Sequence, residues 1–379
     1  MRITNTYRFE SSLVIFAVFA LVLFQNCSAA KFDFAAIQPS AGSTGHILAD
    51  GSFQEDFLQN PPQTNNKVDI LFVINSSDSL HSILSGVVGG VSGFISKLPV
   101  DSDFQVSVLP SHSPRSTNTS GRLFGAGGSP VLSSKTLSVS NILSSLSTTL
   151  NSLPGVTAGG EGSDEEGLAS MFTALDTTHL AFNQNLGFFR NDASLAVVFV
   201  ANEADVCGEP DTDPHTDSDW ASAKQTALLD CVPLGIKSDS VLAKLRALQG
   251  ARPLLVSGIL FPDRAQMAGA SEKEYGWGYV ESVMAANGCV DPMDCNAIID
   301  LNLDAAGITR GLESIGSLMN QRLSYVFDFS LSRKPASASC IHVKVDGQDS
   351  TFVFNSGSNS VHINNPGHIG SQISINYCL

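Results

Sequence analysis

Two runs of consecutive hydrophobic residues dominate the middle of the chain, Ile70 to Ile74 and Leu195 to Val200. Neither run alternates with polar residues, as a strand with one solvent-facing side would. Uninterrupted apolar strands are typical of parallel sheets that helices cover on both faces. The runs end close to Asn75 and Asn202. Ligands of such sheets bind at the carboxyl ends of the strands, so these polar ends are where we expect functional side chains.

The rest of residues 67–334 alternates between segments that resemble strands and segments that resemble helices. Further strands are predicted over 103–110, 253–261 and 324–331, and helices over 80–98, 137–153, 164–177, 242–248, 272–286 and 305–323. This alternation predicts a doubly wound, mostly parallel α/β domain of the Rossmann-like class. The helix over 80–98 contains four glycines, which predicts that it packs closely against the sheet.

The two ends of the chain have different patterns. Short alternating runs between 341 and 377, separated by turns such as Asp346-Gly347, predict a small antiparallel β-module over 335–379. Residues 27–66 are rich in Ser, Gly, Gln, Asn and Pro and are predicted to form a flexible tether. Residues 1–26 are typical of an export signal, because arginines precede an apolar run that is short for a membrane span.

Cys27 directly follows that apolar run. We predict that it is the lipidated first residue of a bacterial lipoprotein, which would place the protein in the cell envelope, at the outer membrane. The membrane would then be a partner through the lipid anchor. Two alternatives stay open: cleavage after Ala30, which would remove Cys27, and an uncleaved signal anchor.

Charge and cysteine content narrow the classes of partner and compartment. The 379 residues carry a net charge of −15, which argues against nucleic acid as a partner. Six cysteines follow Cys27, an even number that is typical of disulfides in exported proteins. Their proximity along the chain favours three pairs, Cys207–Cys231, Cys289–Cys295 and Cys340–Cys378. The first pair would close an insertion over 207–231.

The segment Asn75-x-Ser77-x-Ser79 resembles the first metal-site loop of von Willebrand factor A (VWA) domains, whose pattern is Asp-x-Ser-x-Ser. The resemblance covers roughly residues 66–333. In that family the metal-ion-dependent adhesion site (MIDAS) also takes a Thr from a glycine-rich loop, where Ser163 is the nearest hydroxyl here. It takes an Asp after the fourth strand, where Asn202 stands. The resemblance implies that Asn75 and Asn202 face each other on neighbouring strands.

Asn therefore stands at both positions where the family has an acidic ligand. This removes two negative charges from the site, and Mg²⁺ usually needs such charges to bind. The acids that would compensate are Asp78, Asp164, Glu203 and Asp205. We expect a degenerate site that binds an anionic group without Mg²⁺ at a helix N-terminus; a bound Mg²⁺ and a structural role for the two asparagines are the alternatives. The aspartates from Asp211 to Asp219 could bind Ca²⁺, but they lack the spacing of an EF-hand loop. A solvated loop is therefore favoured for this segment.

The motifs of common hydrolases are missing from the sequence, including Gly-x-Ser-x-Gly and His-Glu-x-x-His. The group Ser111-His112-Ser113 is expected to be a surface loop, so the chain is not expected to be an enzyme. The VWA resemblance implies a binding or adhesion protein that recognises a protein or cell-surface ligand at the carboxyl edge of its sheet. The alternatives are a structural envelope protein with a vestigial site and, less favoured, a secreted hydrolase.

Overall fold

The computed structural model describes residues 44–59, 66–75, 80–112, 119–153, 166–208, 229, 231–250, 252–264, 274–357, 359–368 and 370–379. All of them belong to one compact unit, Gly42–Leu379. The strands are β1 (Thr44–Ile47), β2 (Phe53–Leu58), β3 (Lys67–Ile74), β4 (Asp103–Pro110), β5 (Val131–Ser133), β6 (Ser194–Val200), β7 (Leu254–Leu260), β8 (Ile298–Asp300), β9 (Asp328–Ser330), β10 (His342–Val345), β11 (Gln348–Asp349), β12 (Phe352–Asn355), β13 (Ser360–Ile363) and β14 (Gln372–Tyr377). The helices are α1 (His81–Lys97), α2 (Val139–Asn151), α3 (Gly167–Ala174), α4 (Thr177–Asn185), α5 (Ser238–Gln249), α6 (Tyr279–Asn287) and α7 (Ala305–Ser324).

The larger sheet has the strand order β5-β4-β3-β6-β7-β8. Strands β4, β3, β6, β7 and β8 run parallel, and β5 pairs antiparallel with β4 at one edge. The two apolar runs are the central neighbours β3 and β6, with Ile74 opposite Val200. The predicted mostly parallel α/β sheet is confirmed, and so is the predicted adjacency of these two strands.

Helices cover both faces of the sheet, which explains why β3 has no polar side. Ile70, Phe72 and Ile74 pack into one core with α1, α2 and α7, whereas Leu71 and Val73 pack into a second core with α3, α5 and α6. These five side chains are at most 2% exposed. Burial on both faces is the driving force that holds these strands at the centre of the domain.

The glycines of α1 face helix α7. The prediction that they pack against the sheet is therefore wrong. A Cβ at Gly90 would lie 2.5 Å from Leu312 Cδ1, and one at Gly316 of α7 would lie 2.5 Å from Phe94 O. Small residues on both helices therefore let the two backbones approach each other closely. The large side chains of α1, such as Phe94, are then directed into the core.

The small β-module is a two-sheet sandwich that begins before the α/β domain. One sheet has the order β1-β2-β14-β10-β11 and the other β12-β13-β9. Strand β2 pairs along its whole length with β14, from Phe53 opposite Tyr377 to Leu58 opposite Gln372. The sandwich core contains Phe53 together with residues of the C-terminal strands. The α/β domain is thus inserted between β2 and β9 of the sandwich.

This arrangement corrects three predictions. The tether prediction for 27–66 is wrong for residues 44–58, because β2 buries Phe53 and contributes to the sandwich. The strand predicted over 324–331 does not join the large sheet; β9 pairs with β13, and β8 is the sixth strand of the large sheet. The C-terminal part of the sandwich therefore begins with β9 at residue 328, and the predicted start at residue 335 is too late. The export signal and Cys27 lie outside the described residues.

The three predicted disulfides, Cys207–Cys231, Cys289–Cys295 and Cys340–Cys378, are confirmed. The last one joins the residue after β14 to the short turn before β10 and so closes the sandwich. No helix of the described part of the chain is both long and apolar enough to cross a bilayer. Three disulfides are typical of proteins that fold in an oxidising, exported compartment.

The amino edge of the large sheet is fastened by Arg190. Its Nε donates to Asp69 Oδ1 at 2.8 Å and its NH1 group lies 2.8 Å from Asp103 Oδ2. Burial raises the pKa of Asp69 to about 6, although Arg190 opposes that shift. Lys67 and Asp192 form an ion pair at the same edge, where both are partly exposed. Arg190 therefore links β3 and β4 to the loop before β6 and has a structural role at this edge, which is opposite the polar ends of β3 and β6.

A chain of polar side chains, with His362 and Arg322 buried at its centre, joins the α/β domain to the sandwich. His362 of β13 forms a 3.0 Å hydrogen bond through Nδ1 with Asp328 Oδ1 of β9. Its Nε2 lies 3.4 Å from the NH1 group of Arg322 in α7, and the NH2 group of Arg322 donates to Asn287 Oδ1 at 3.1 Å. Burial lowers the pKa of His362, although Asp328 opposes that shift. A neutral His362 that donates from Nδ1 and accepts at Nε2 satisfies both neighbours.

Candidate functional site

Asn75 and Asn202 meet at the carboxyl edge of the large sheet. Asn75 directly follows β3, and its backbone N–H donates to Val200 O at 3.0 Å. Its side-chain Nδ2 donates to Asn202 Oδ1 at 3.0 Å. The two side chains are 4% and 5% exposed, respectively. The expectation that these residues face each other is confirmed.

The chemistry of this pair is that of two neutral amides. Asn202 Oδ1 accepts from Asn75, and Asn202 Nδ2 donates to Glu203 Oε1 at 3.2 Å. Mg²⁺ usually requires one or two carboxylates in an octahedral set of oxygens, whereas here the amides are engaged with each other. The pair therefore does not fit a tightly held Mg²⁺. The other predicted site residues Ser77, Asp78, Ser79, Ser163 and Asp164 lie outside the described residues.

Asp205, which was expected as a compensating acid, has a structural position beneath this edge. It is fully buried, and its Oδ2 accepts from the backbone N–H of Leu168 at 2.7 Å, at the start of α3. Its Oδ1 accepts from the backbone N–H of Cys207 at 2.8 Å. Burial raises the pKa of Asp205 to about 7, although these hydrogen bonds oppose the shift. The carboxyl group thus ties the loop after β6 to the start of α3.

Tyr279 and Ser111 extend this buried network to two further elements. The Tyr279 hydroxyl accepts from the backbone N–H of Gly167 at 3.0 Å and lies 3.3 Å from Ser111 Oγ. Ser111 and His112 are 4% and 6% exposed, so the prediction of a surface loop is wrong for these two residues. They are buried because β4 carries them against α6 and the turn at Thr119, whose Oγ1 bonds His112 Nδ1 at 2.6 Å.

The segment from Glu274 to Gly278 completes the edge beside Asn202. The Glu274 backbone N–H donates to Asn202 O at 3.1 Å, and Trp277 O accepts from the Asp205 N–H at 2.9 Å. The predicted helix over 272–286 begins only at Tyr279. Gly278 has a φ of 81° and packs against the backbone of Gly208, which a helix or a larger residue would prevent.

Two aromatic residues of this segment, together with Arg264, are functional candidates that the sequence pattern did not indicate. Trp277 and Tyr275 pack edge to face, with ring centroids 4.8 Å apart. The guanidinium carbon of Arg264 lies 3.6 Å from the Trp277 centroid and 4.7 Å from that of Tyr275. The glycines at 276 and 278 were the available signal, because two glycines in three residues disfavour a helix.

One group of possible metal ligands is found within the described residues, Glu166 with Cys207 and Cys231. The two sulfurs are bonded to each other, so they do not act as thiolate ligands in this state. The predicted solvated loop from Asp211 to Asp219, with its alternative of a Ca²⁺ site, lies outside the described residues.

Comparisons with known proteins give a likeness of structure alone. No family model matches the chain, and no curated protein sequence matches it. The chain is similar to a von Willebrand factor type A protein from Catenulispora acidiphila, with 12% identity over 86% of this chain and 61% of that one, at a TM-score of 0.35. It is also similar to the pilus adhesin SpaC from Lactobacillus rhamnosus GG, with 13% identity over 86% of this chain and 41% of that one, at a TM-score of 0.33.

A third similar structure is proximal thread matrix protein 1 of the mussel byssus, with 10% identity over 64% of this chain and 48% of that one, at a TM-score of 0.27. The chain spans less than two thirds of the length of each of these proteins. Likenesses this distant carry no functional argument. The α/β class rests on the strand order and on the helices that cover both faces of the sheet.

Proposed function

We propose that the protein is an exported, non-catalytic binding protein that recognises a protein or cell-surface ligand at the carboxyl edge of its large sheet, without a metal ion. The observation that supports this most directly is the pair formed by Asn75 and Asn202. Amide side chains neither release nor take up protons near neutral pH, so they suit hydrogen-bonded recognition better than acid–base catalysis.

The position of the pair supports the same proposal. It lies at the end of two adjacent central strands, where open α/β sheets bind ligands. Neutral amides also leave this edge without the repulsion that two carboxylates would exert on an acidic ligand. The three disulfides support export. Within this proposal, Cys27 carries the lipid that anchors the protein in the bacterial envelope.

Selection from a random peptide library displayed on phage tests the binding function. The wild-type protein is immobilised in buffer with EDTA, and the enriched peptides are synthesised and titrated by calorimetry. A variant with Asn75, Ser77 and Asn202 replaced by Ala is expected to lose at least about tenfold in affinity, since a few central residues carry most of the binding energy. Asp192→Asn at the opposite edge is the matched control and should bind normally.

The alternatives give different results in the same experiment. A structural protein with a vestigial site would enrich no specific peptide, and a peptide that the triple variant binds as well as the wild type would also contradict the proposal. Circular dichroism and thermal unfolding of each variant show whether the fold survives. The lipid anchor is tested separately: labelled fatty acid should enter the wild type and not Cys27→Ser.

A further inference from the structure

Arg264 is an exposed cation that two aromatic rings hold in place. Its guanidinium carbon lies 3.6 Å from the ring centroid of Trp277 and 4.7 Å from that of Tyr275. Cation–π contacts of this kind stabilise one orientation of a long side chain that would otherwise sample many rotamers. The chain thus presents a guanidinium whose conformational entropy has already been reduced before any ligand arrives.

The Arg264 stack is part of the same sheet edge as the asparagine pair. Arg264 follows β7, which is the neighbour of β6 in the sheet. The aromatic segment is bonded to the loop after β6, because the Glu274 N–H donates to Asn202 O at 3.1 Å. On its other side, the Gly276 N–H donates to Phe261 O at 3.1 Å. Arg264 and Asn202 therefore follow neighbouring strands at the same edge of the sheet, and the segment from Glu274 to Gly276 is hydrogen-bonded to the loops after both strands.

Glu281 is an acid close enough to Arg264 for their charges to interact. Its carboxylate is committed to the start of α6, where it accepts from the Gly278 N–H at 2.6 Å and interacts with Tyr275. Burial raises the pKa of Glu281, although Arg264 opposes that shift. Glu281 thus fixes the Gly278 backbone and the Tyr275 ring, and Arg264 remains exposed to solvent above them.

We propose that Arg264 binds a carboxylate of the ligand, an Asp or Glu side chain of a protein partner, at the edge marked by Asn75 and Asn202. This inference rests on the proposed function and specifies its ligand class. A guanidinium matches a carboxylate with two parallel hydrogen bonds. Because Arg264 is already oriented, less entropy is lost when the carboxylate binds. A fixed cation at this edge supplies the positive charge that recognition of an acidic residue requires.

The peptides enriched in the phage selection are the probe for this inference. They are expected to share an acidic residue, and replacing it by the corresponding amide should weaken binding at least about tenfold, as for a hydrogen bond to a charged group. Arg264→Gln should produce the same loss, and combining the two changes should add little more. Arg264→Lys should recover part of the affinity, because it restores the charge without the planar fork.

Arg122→Gln is the matched control, because Arg122 is also exposed and stacks on one aromatic ring, 4.9 Å from the Phe182 centroid, beyond β4 on the other flank of the sheet. It should leave peptide affinity unchanged. Peptides that depend on Asn75 and Asn202 but bind Arg264→Gln as tightly as the wild type overturn the assignment of Arg264 and leave the proposed function standing. A selection that enriches no peptide, or only peptides indifferent to Asn75 and Asn202, removes both.

Discussion

Returning the two missing charges to the asparagine pair gives the most informative perturbation. Asn75→Asp and Asn202→Asp are made singly and together. Asp and Asn have nearly the same shape, so each change alters charge with little effect on packing. In Asn202→Asp, the Nδ2 group of Asn75 can still donate to the new carboxylate. In Asn75→Asp, Asn202 presents its Oδ1 to the new carboxylate and can donate to it only if its amide flips and gives up the hydrogen bond to Glu203. Asn202→Asp should therefore lose stability mainly through burial of one charge, and Asn75→Asp should lose more.

The double variant places two carboxylates where the wild-type atoms Asn75 Nδ2 and Asn202 Oδ1 are 3.0 Å apart. Two like charges about 4 Å apart repel by about 4 kcal/mol at the effective dielectric constant of about 20 that suits protein sites. Without metal at neutral pH, the double variant should be less stable than the sum of the single effects by roughly that amount. One carboxyl group should take up a proton on acidification, so this extra loss should shrink at low pH.

Urea unfolding with the disulfides intact measures these free energies of unfolding, in EDTA and again with Mg²⁺. Mg²⁺ should restore stability in the double variant, because two carboxylates and nearby oxygens form the donor set that this ion prefers. The wild type should respond little to Mg²⁺. Additive single effects with no repulsion in EDTA would show that the two side chains are not neighbours, and the described site geometry would then be wrong.

Three further predictions concern the buried network and the helix packing. In the wild type, the pKa of His362 is lowered in the folded state, so the unfolded chain binds more protons below about pH 6.5 and stability falls on acidification from about pH 7 to pH 5. His362→Gln should make this fall smaller. Asp205 should have the opposite effect, because the folded protein keeps a proton on this carboxyl group that the unfolded chain releases. Its contribution to stability should fall by about 4 kcal/mol as the pH rises from about 4 to 7, and Asp205→Asn should remove that fall. Both slopes are measured by urea unfolding across pH, and an unchanged slope contradicts the assignment. Gly316→Ala should lower the free energy of unfolding by about 1–3 kcal/mol, because its Cβ would lie 2.5 Å from Phe94 O. The control is Gly89→Ala, whose Cβ would lie 3.4 Å from the nearest atom. It should be neutral or stabilising in thermal unfolding.

The sequence was most informative where one physical effect dominates. Uninterrupted apolar runs mark strands covered on both faces, so β3 and β6 and their adjacency could be predicted together with the contact between Asn75 and Asn202. Disulfide pairing followed proximity along the chain, because each pair closes a local segment. In these cases the relevant partners are either the whole core or close neighbours in sequence.

Long-range pairing was beyond the sequence pattern. Strand β2 has a mixed polar composition and forms because β14, more than 300 residues later, supplies its hydrogen-bond partners (Tyr377 pairs with Phe53). Likewise, the glycines of α1 indicated close packing but could not show that α7 was the neighbour. Arg264 and Trp277 were missed because their contact depends on how two loops cross the sheet edge.

The central claim is that this sheet edge binds its ligand without a metal ion. The direct test is a calorimetric titration of the wild-type protein with an enriched acidic peptide, first in EDTA and then with Mg²⁺ in excess. We expect the same Kd in both conditions and a loss of at least about tenfold in the Arg264→Gln variant in each. Binding that disappears in EDTA and returns with Mg²⁺ would contradict the claim and identify a metal site in its place.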